Sequence, residues 1–461
     1  MSKKSAWLKY PQGEAREKLM TFAEGYRQFI SKCKTEREVT TEIYAQAIAA
    51  GYRDLDELIA AGASLKAGDK VVANNMGKGL VLFVLGREAM EKGMNLLGAH
   101  VDSPRIDIKQ VPLYEDTELA LLDTHYYGGI KKYQWVTLPL AIHGVICRKD
   151  GSTVTVNIGE KPTDPVFGIT DLLVHLASEQ MSKPLAKGIE GENLDVLVGS
   201  MPVEDEEEKQ AVLANVLRLL QADYGIEEED LLSAELEVVP AGAARDMGFD
   251  RSLIMGYGQD DRSCAYPSWK AIETIEEPER TCVCVLVDKE EIGSVGATGM
   301  HSRFFENCVA EVMNLAGDYS ELKLRRCLKN SLMISSDVSA GYDPLYGSVM
   351  EKKNAALLGH GLVFNKYLGS RGKSGSNDAN AEFMAHIRSV MDGAEVAWQT
   401  AEIGKVDAGG GGTIAYIMAN RGITVIDSGV PVLSMHAPWE VTSKADVYEA
   451  FLGYRAFLER A

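Results

Sequence analysis

Five short segments of this chain carry side chains that bind cations or move protons. In chain order they are Gly98-Ala-His-Val-Asp-Ser-Pro104, Gly258-Gln-Asp-Asp-Arg-Ser263, Asp288-Lys-Glu-Glu-Ile-Gly-Ser294, Ile334-Ser-Ser-Asp337 and Ser434-Met-His-Ala-Pro438. His100 and Asp102 are spaced so that the carboxylate can accept one imidazole N–H, fix the tautomer and leave the other nitrogen for a metal. Glu290 and Glu291 are adjacent carboxylates, costly to place together without a cation. One can ligate a metal while the other reaches a water. Asp260 and Asp261, in a glycine-flanked turn, could bridge two cations, or Asp261 could cap the helix that follows over 264–275. Each segment alone has a bland alternative: a structural histidine, a solvated acidic turn, a helix cap, a polar loop. The joint order His, Asp, Glu-Glu, Asp, His carries the case for a metal centre.

Most of these residues need strands to position them. Met94–Ala99 is a short apolar run ending in His100, Cys282–Val287 leads to Asp288 and Glu290, Leu332–Ser335 leads to Asp337, and Val430–Ser434 leads to His436. Continuous apolar runs of this length read as buried parallel strands, and in open α/β sheets chemistry gathers beyond the carboxyl ends of the strands. Ahead of them, apolar spacing predicts helices over 15–33 and 40–50, then strands at 71–72 and 80–85 joined by a turn at Asn75–Gly79. Residues 104–246 differ in character. They hold strand-like pieces (140–147, 152–158), a helical stretch (213–220) and two acidic runs, Glu204–Glu208 and Glu227–Asp230, read as solvated edges. We therefore expect a catalytic domain over 1–103 and 247–461, with a second, β-rich domain inserted at 104–246. The four glycines Gly409–Gly412 read either as a flexible loop before a helix or as backbone that must approach a ligand closely.

Composition narrows the alternatives. The chain has 461 residues, and 48 basic against 67 acidic residues leave a net charge of −19. That balance argues against nucleic acid or an anionic membrane as partner. No run approaches the length of a membrane span, no signal peptide is evident, and seven scattered cysteines with no CxxC pair suggest a reducing, cytoplasmic setting with buried free thiols. A His-Glu-x-x-His helix, a Gly-x-Ser-x-Gly elbow and a Gly-x-Gly-x-x-Gly after a strand are all missing. Gly372-Lys373-Ser374 is no phosphate loop, because Tyr367 stands where that motif needs glycine. His125, His143, His301, His360 and His386 have no ligand spacing.

The set Ala99-His-Val-Asp102, Gln259-Asp-Asp261, Glu290-Glu-Ile-Gly293, Ser336-Asp337 and Ser434-Met-His436 resembles the aspartyl aminopeptidase family, which includes vacuolar aminopeptidase I. The resemblance implies a dizinc exopeptidase fold: a mixed, largely parallel sheet with helices on both faces and an inserted dimerisation domain. It implies two divalent metals, zinc first, with manganese or cobalt also suited to such donors. Carried over by position, Asp260 bridges both metals, His100 and Asp337 hold one, and Glu291 and His436 hold the other. Asp102 supports His100, Glu290 is the general base, and the Asp260–Asp261 peptide is cis. The substrate is a peptide with a free N-terminus, and the family assembles from dimers into dodecamers. Members that prefer acidic residues carry a histidine in the inserted domain that reaches a neighbour's site. Asp171 stands at that position here, with His175 matching a second histidine, and a carboxylate there would repel an acidic substrate. Lys366, Arg371 and Lys373 lie in a segment that could instead supply positive charge to the pocket. A dimetal carboxypeptidase or N-deacylase, and a non-catalytic self-assembling relative, are the competing readings.

Overall fold

A computed structural model of the chain describes residues 4–204 and 208–461, so part of the acidic run Glu204–Glu208 lies outside the described residues. The chain divides into two compact units. The first comprises Met1–Asp102, Ala244–Met435 and Glu440–Ala461, and the second Ser103–Ala243 and His436–Trp439. The four residues from His436, expected with the first domain, pack with the second, where the Gly129 carbonyl oxygen lies 2.9 Å from His436 Nδ1.

The first unit is built on nine strands: β1 (Arg53–Asp54), β2 (Lys70–Asn74), β3 (Leu80–Val84), β4 (Met94–His100), β5 (Thr281–Val287), β6 (Leu332–Ser336), β7 (Leu362–Asn365), β8 (Trp398–Thr400) and β9 (Thr424–Gly429). Their order across the sheet is β1-β2-β3-β5-β4-β6-β9-β7-β8. The central run β5-β4-β6-β9 is parallel, whereas β3 joins β5, and β7 joins β9, antiparallel. The apolar runs at β4 and β5 are buried along their whole length, as strands covered on both faces must be. One face packs against helices Gln259–Glu273 and Lys444–Arg460 through Cys264, Trp269, Tyr454 and Phe457. The other packs against Phe304–Leu315 and Ala415–Ala419 through Phe305, Val309 and Met418.

Three expectations are corrected. The run at 430–434 is not a strand of this sheet. It forms Pro431–Leu433 in a separate five-stranded sheet, antiparallel to Glu440–Ser443, because β9 already occupies the place beside β6. The second helix starts at Glu36 rather than Thr40, since Thr35 and Glu38 make a reciprocal capping box, with the Glu38 N–H donating to Thr35 Oγ1 at 3.2 Å. Six cysteines are buried and free, but Cys147, at the end of its strand, is exposed.

The second unit is a six-stranded antiparallel sheet. Its order is Thr153–Ile158, Leu140–Cys147, Ala234–Pro240, Arg105–Asp116, Leu119–Tyr127 and Val196–Gly199. Helix Ala211–Tyr224 belongs to the same unit.

Candidate metal centre

The parallel pairing of β5, β4 and β6 brings separate pieces of chain to one sheet edge. His100 is the last residue of β4 and lies opposite Val287, the last of β5. Asp337 immediately follows β6, and Glu290–Ile292 forms a single 3-10 turn just beyond β5. Asp260 and Asp261 occupy the kinked start of helix Gln259–Glu273, where both have non-helical dihedrals and the peptide between them is cis.

The side chains converge on His100. Its Nε2 is 3.1 Å from Asp260 Oδ1 and 3.8 Å from Asp337 Oδ1. Its Nδ1 faces Asp102, 3.0 Å from the main-chain oxygen and 3.2 Å from Oδ1. The Asp102 carboxylate also accepts the main-chain N–H groups of Glu290 at 3.1 Å and Glu291 at 3.2 Å. One fully buried aspartate therefore orients both the imidazole and the glutamate turn. Donor atoms of His100, Asp260 and Glu291 lie within 4.8 Å of one another, as do those of His100, Glu290 and Asp337, and of Asp260, Asp261 and Asp337. His436, the fifth expected ligand, belongs to the second unit.

Two supporting residues were missed or misread from sequence. Asp261 is not used as a simple helix cap; its Oδ2 accepts the main-chain N–H of His100 at 3.3 Å. Glu440, buried in the five-stranded sheet, accepts the Asp260 N–H at 3.2 Å. Beside it, the Gln259 amide donates to the Ile254 and Glu440 carbonyls and accepts from Tyr26. No local spacing marks Glu440, which is a single carboxylate in a short buried strand, and Asp261 stands out only as the second half of a pair.

The electrostatics are those of a site built for positive charge. Burial and then the neighbouring Asp337 push Glu290 up to about 8. The same two causes hold Asp261 well above the ordinary carboxylate range. Burial works against a charged His100, yet Asp102, Asp260 and Asp337 hold its proton far more tightly than usual. Asp427 in β9 is pushed up to about 7 by burial and, less strongly, by Asp337. Asp261 Oδ1 is buried without a hydrogen-bond partner among the described residues. So many converging carboxylates are costly unless a cation compensates them. Two donors held ~2.0–2.1 Å from one tetrahedral zinc are about 3.3 Å apart, close to the His100–Asp260 separation. The nitrogen and oxygen donors thus fit zinc or a cation of similar size.

Asp337 also depends on a glycine. A Cβ at Gly429, the last residue of β9, would stand 1.8 Å from the Asp337 carbonyl oxygen. Gly429→Ala is therefore expected to shift Asp337, destabilise the fold by about 1–3 kcal/mol and lower bound zinc per chain, measured by denaturant unfolding and elemental analysis.

The family described as aminopeptidase I zinc metalloprotease (M18) matches residues 29–458. A probable M18 family aminopeptidase 1 of Clostridium acetobutylicum is 60% identical over 455 residues, covering 99% of this chain and 98% of that protein. The crystal structure of an M18 aminopeptidase from Thermotoga maritima superposes with a TM-score of 0.95 at 44% identity, covering 100% of both chains. A structure described as the S. cerevisiae mApe1 dodecamer shares the fold at 21% identity and a TM-score of 0.76, covering 95% of this chain and 96% of that one.

Proposed function

The chain belongs to the aminopeptidase I zinc metalloprotease family, M18, and is a metal-dependent aminopeptidase; from that premise we propose how its residues carry out the hydrolysis. In this reading His100, Asp260, Glu291, Asp337 and His436 would hold two divalent cations. The hydrogen bond between His436 Nδ1 and the Gly129 carbonyl favours the tautomer protonated at Nδ1, the form a neutral imidazole would need to bind a metal through Nε2. Bound zinc supplies Lewis acidity toward water and toward the scissile carbonyl.

The rest of the chemistry is assigned to the chain's own groups. Glu290 takes a proton from the attacking water as the new carbon–oxygen bond forms. It then delivers that proton to the amine nitrogen as the carbon–nitrogen bond breaks. Asp102 keeps Glu290 and His100 in register, because one carboxylate binds Nδ1 of the imidazole and the N–H groups of the glutamate turn. This shared anchor is the observation that carries the reading. The carboxylates of the site also suit the free, positively charged α-amine of a peptide.

Three further points are proposed. An acidic first residue is disfavoured: Asp171 is a carboxylate, and the Lys366 and Lys373 ammonium groups are both already paired with Asp378. The protein works in the cytoplasm, a placement supported by seven cysteines that are all free. Among the described residues, no helix is long and apolar enough to cross a membrane. It assembles from dimers into a dodecamer, a proposal supported by its shared fold with the yeast dodecamer and by the inserted second unit.

A panel of aminoacyl chromogenic substrates, each with an N-acetylated twin, tests the reading with and without chelator. The expected result is cleavage of free leucyl and lysyl substrates, no cleavage of their acetylated twins, loss with chelator and recovery on adding zinc, manganese or cobalt. Equal cleavage of the acetylated twins would transfer the assignment to an N-deacylase, and a preference for aspartyl or glutamyl substrates would overturn the specificity.

A further inference from the structure

The glycine run Gly409–Gly412 is not explained by the metal centre itself. Its first two members are needed because other loops crowd them. A Cβ at Gly409 would lie 2.4 Å from the Ile403 carbonyl, and one at Gly410, where φ is +141°, would lie 2.4 Å from the Ser370 nitrogen. Gly411 differs: its N–H donates to the Leu368 carbonyl at 3.0 Å, its φ lies outside the left-handed region, and nothing stands within 4 Å of where a Cβ would be. The outer side of the run is open main chain.

The far end of the run is fixed to the sheet. Thr413 is buried, and its hydroxyl donates to Asp427 Oδ1 at 2.5 Å while accepting the N–H of Ala415 at 3.2 Å. Asp427 in β9 is paired with Ser335 in β6, and Ser335 with Gly98 in β4. Facing residues of parallel strands point to the same side, and so do residues two apart. Asp427, Ser335 and Gly98 therefore make one rung on one face of the sheet, and the next residues on that face in β4 and just past β6 are His100 and Asp337. Ile414, directly after Thr413, comes within 3.2 Å of the Cβ position at Gly98.

We infer that Asp427 and Thr413 are positioning residues that hold the open glycine main chain beside the metal centre, where it forms the wall against which the side chain of the substrate's first residue packs. The inference rests on the aminopeptidase reading. A wall without side chains leaves room for a large first residue, and the hydroxyl–carboxylate bond sets how far the wall stands from the metals.

Gly411→Val tests the wall and Thr413→Val its anchor. At Gly411 the added Cβ has no protein atom within 4 Å, so fold and zinc content are expected to be unchanged. KM for a leucyl substrate is expected to rise about tenfold relative to an alanyl substrate, the scale at which pocket volume discriminates. Thr413→Val is expected to raise KM for both substrates about fivefold with kcat little changed, and to speed amide hydrogen exchange over residues 405–415 in the zinc-free protein. Thr413→Ser should restore both. An unchanged leucyl-to-alanyl KM ratio in Gly411→Val would overturn the inference. So would a Thr413→Val protein that loses kcat and zinc together at unchanged KM. If the wild-type enzyme cleaves neither substrate, the aminopeptidase reading fails instead, and the exchange measurement still reports on the anchor.

Discussion

Glu290→Gln is expected to lower kcat by at least about a hundredfold, the low end for loss of a general base, while leaving the metals bound. The glutamine is almost the same size, and the main-chain N–H of residue 290 still donates to Asp102, so the turn keeps its place. What disappears is the proton acceptor. KM should change little, because substrate binding does not need that proton transfer, and a fall in kcat and kcat/KM together marks a group acting in the transition state. Zinc by elemental analysis separates this from structural loss. Near-normal turnover with full zinc would remove Glu290 from the reaction.

Asp260→Asn is expected to have the larger effect, with two opposite signs. Its carboxylate is 3.1 Å from His100 and shares a donor cluster with Asp261 and Asp337. With a neutral amide there, zinc content should fall, and with it about 4 kcal/mol of transition-state stabilisation, a loss of roughly a thousandfold in kcat/KM. The zinc-free protein should behave in reverse. Removing one of several mutually repelling buried carboxylates relieves the apo state, so apo Asp260→Asn should melt above the apo wild type. Added zinc should then raise the melting temperature of the wild type much more than that of the variant, because stabilisation by a ligand follows its affinity for the folded state. Equal zinc-dependent shifts in the two proteins would take Asp260 out of the metal site.

Much of this was readable beforehand where chemistry and strand pattern coincide. His100 and Asp337 end or follow short apolar runs, and such runs form the middle of the parallel sheet. The run before His436 misled because apolar content does not specify a sheet: Pro431 and Val432 are buried like residues of a central strand, but the partners of Pro431–Leu433 are Glu440–Ser443 and Ser339–Ala340. Glu440 was invisible for a related reason. Its value lies in accepting the N–H of Asp260, far away in the chain, and only the tertiary fold creates that contact. The helix start at Glu36 was legible in principle, since Thr35 and Glu38 have the capping-box spacing, but apolar periodicity begins later and hid it.

The strand order carries a consequence for biogenesis. β3 and β4 are close in sequence, but they do not pair; β5, which follows the whole of the inserted segment, lies between them. While the chain is being synthesised, the first part to emerge from the ribosome therefore holds two apolar strand edges reserved for a segment not yet made. Long-range pairings of this kind form slowly and leave edges open to association. His100 must likewise wait for Asp260 and Glu290, so zinc capture becomes one of the last events in maturation, and chaperone occupancy on the nascent N-terminal part should end only once Thr281–Val287 has docked.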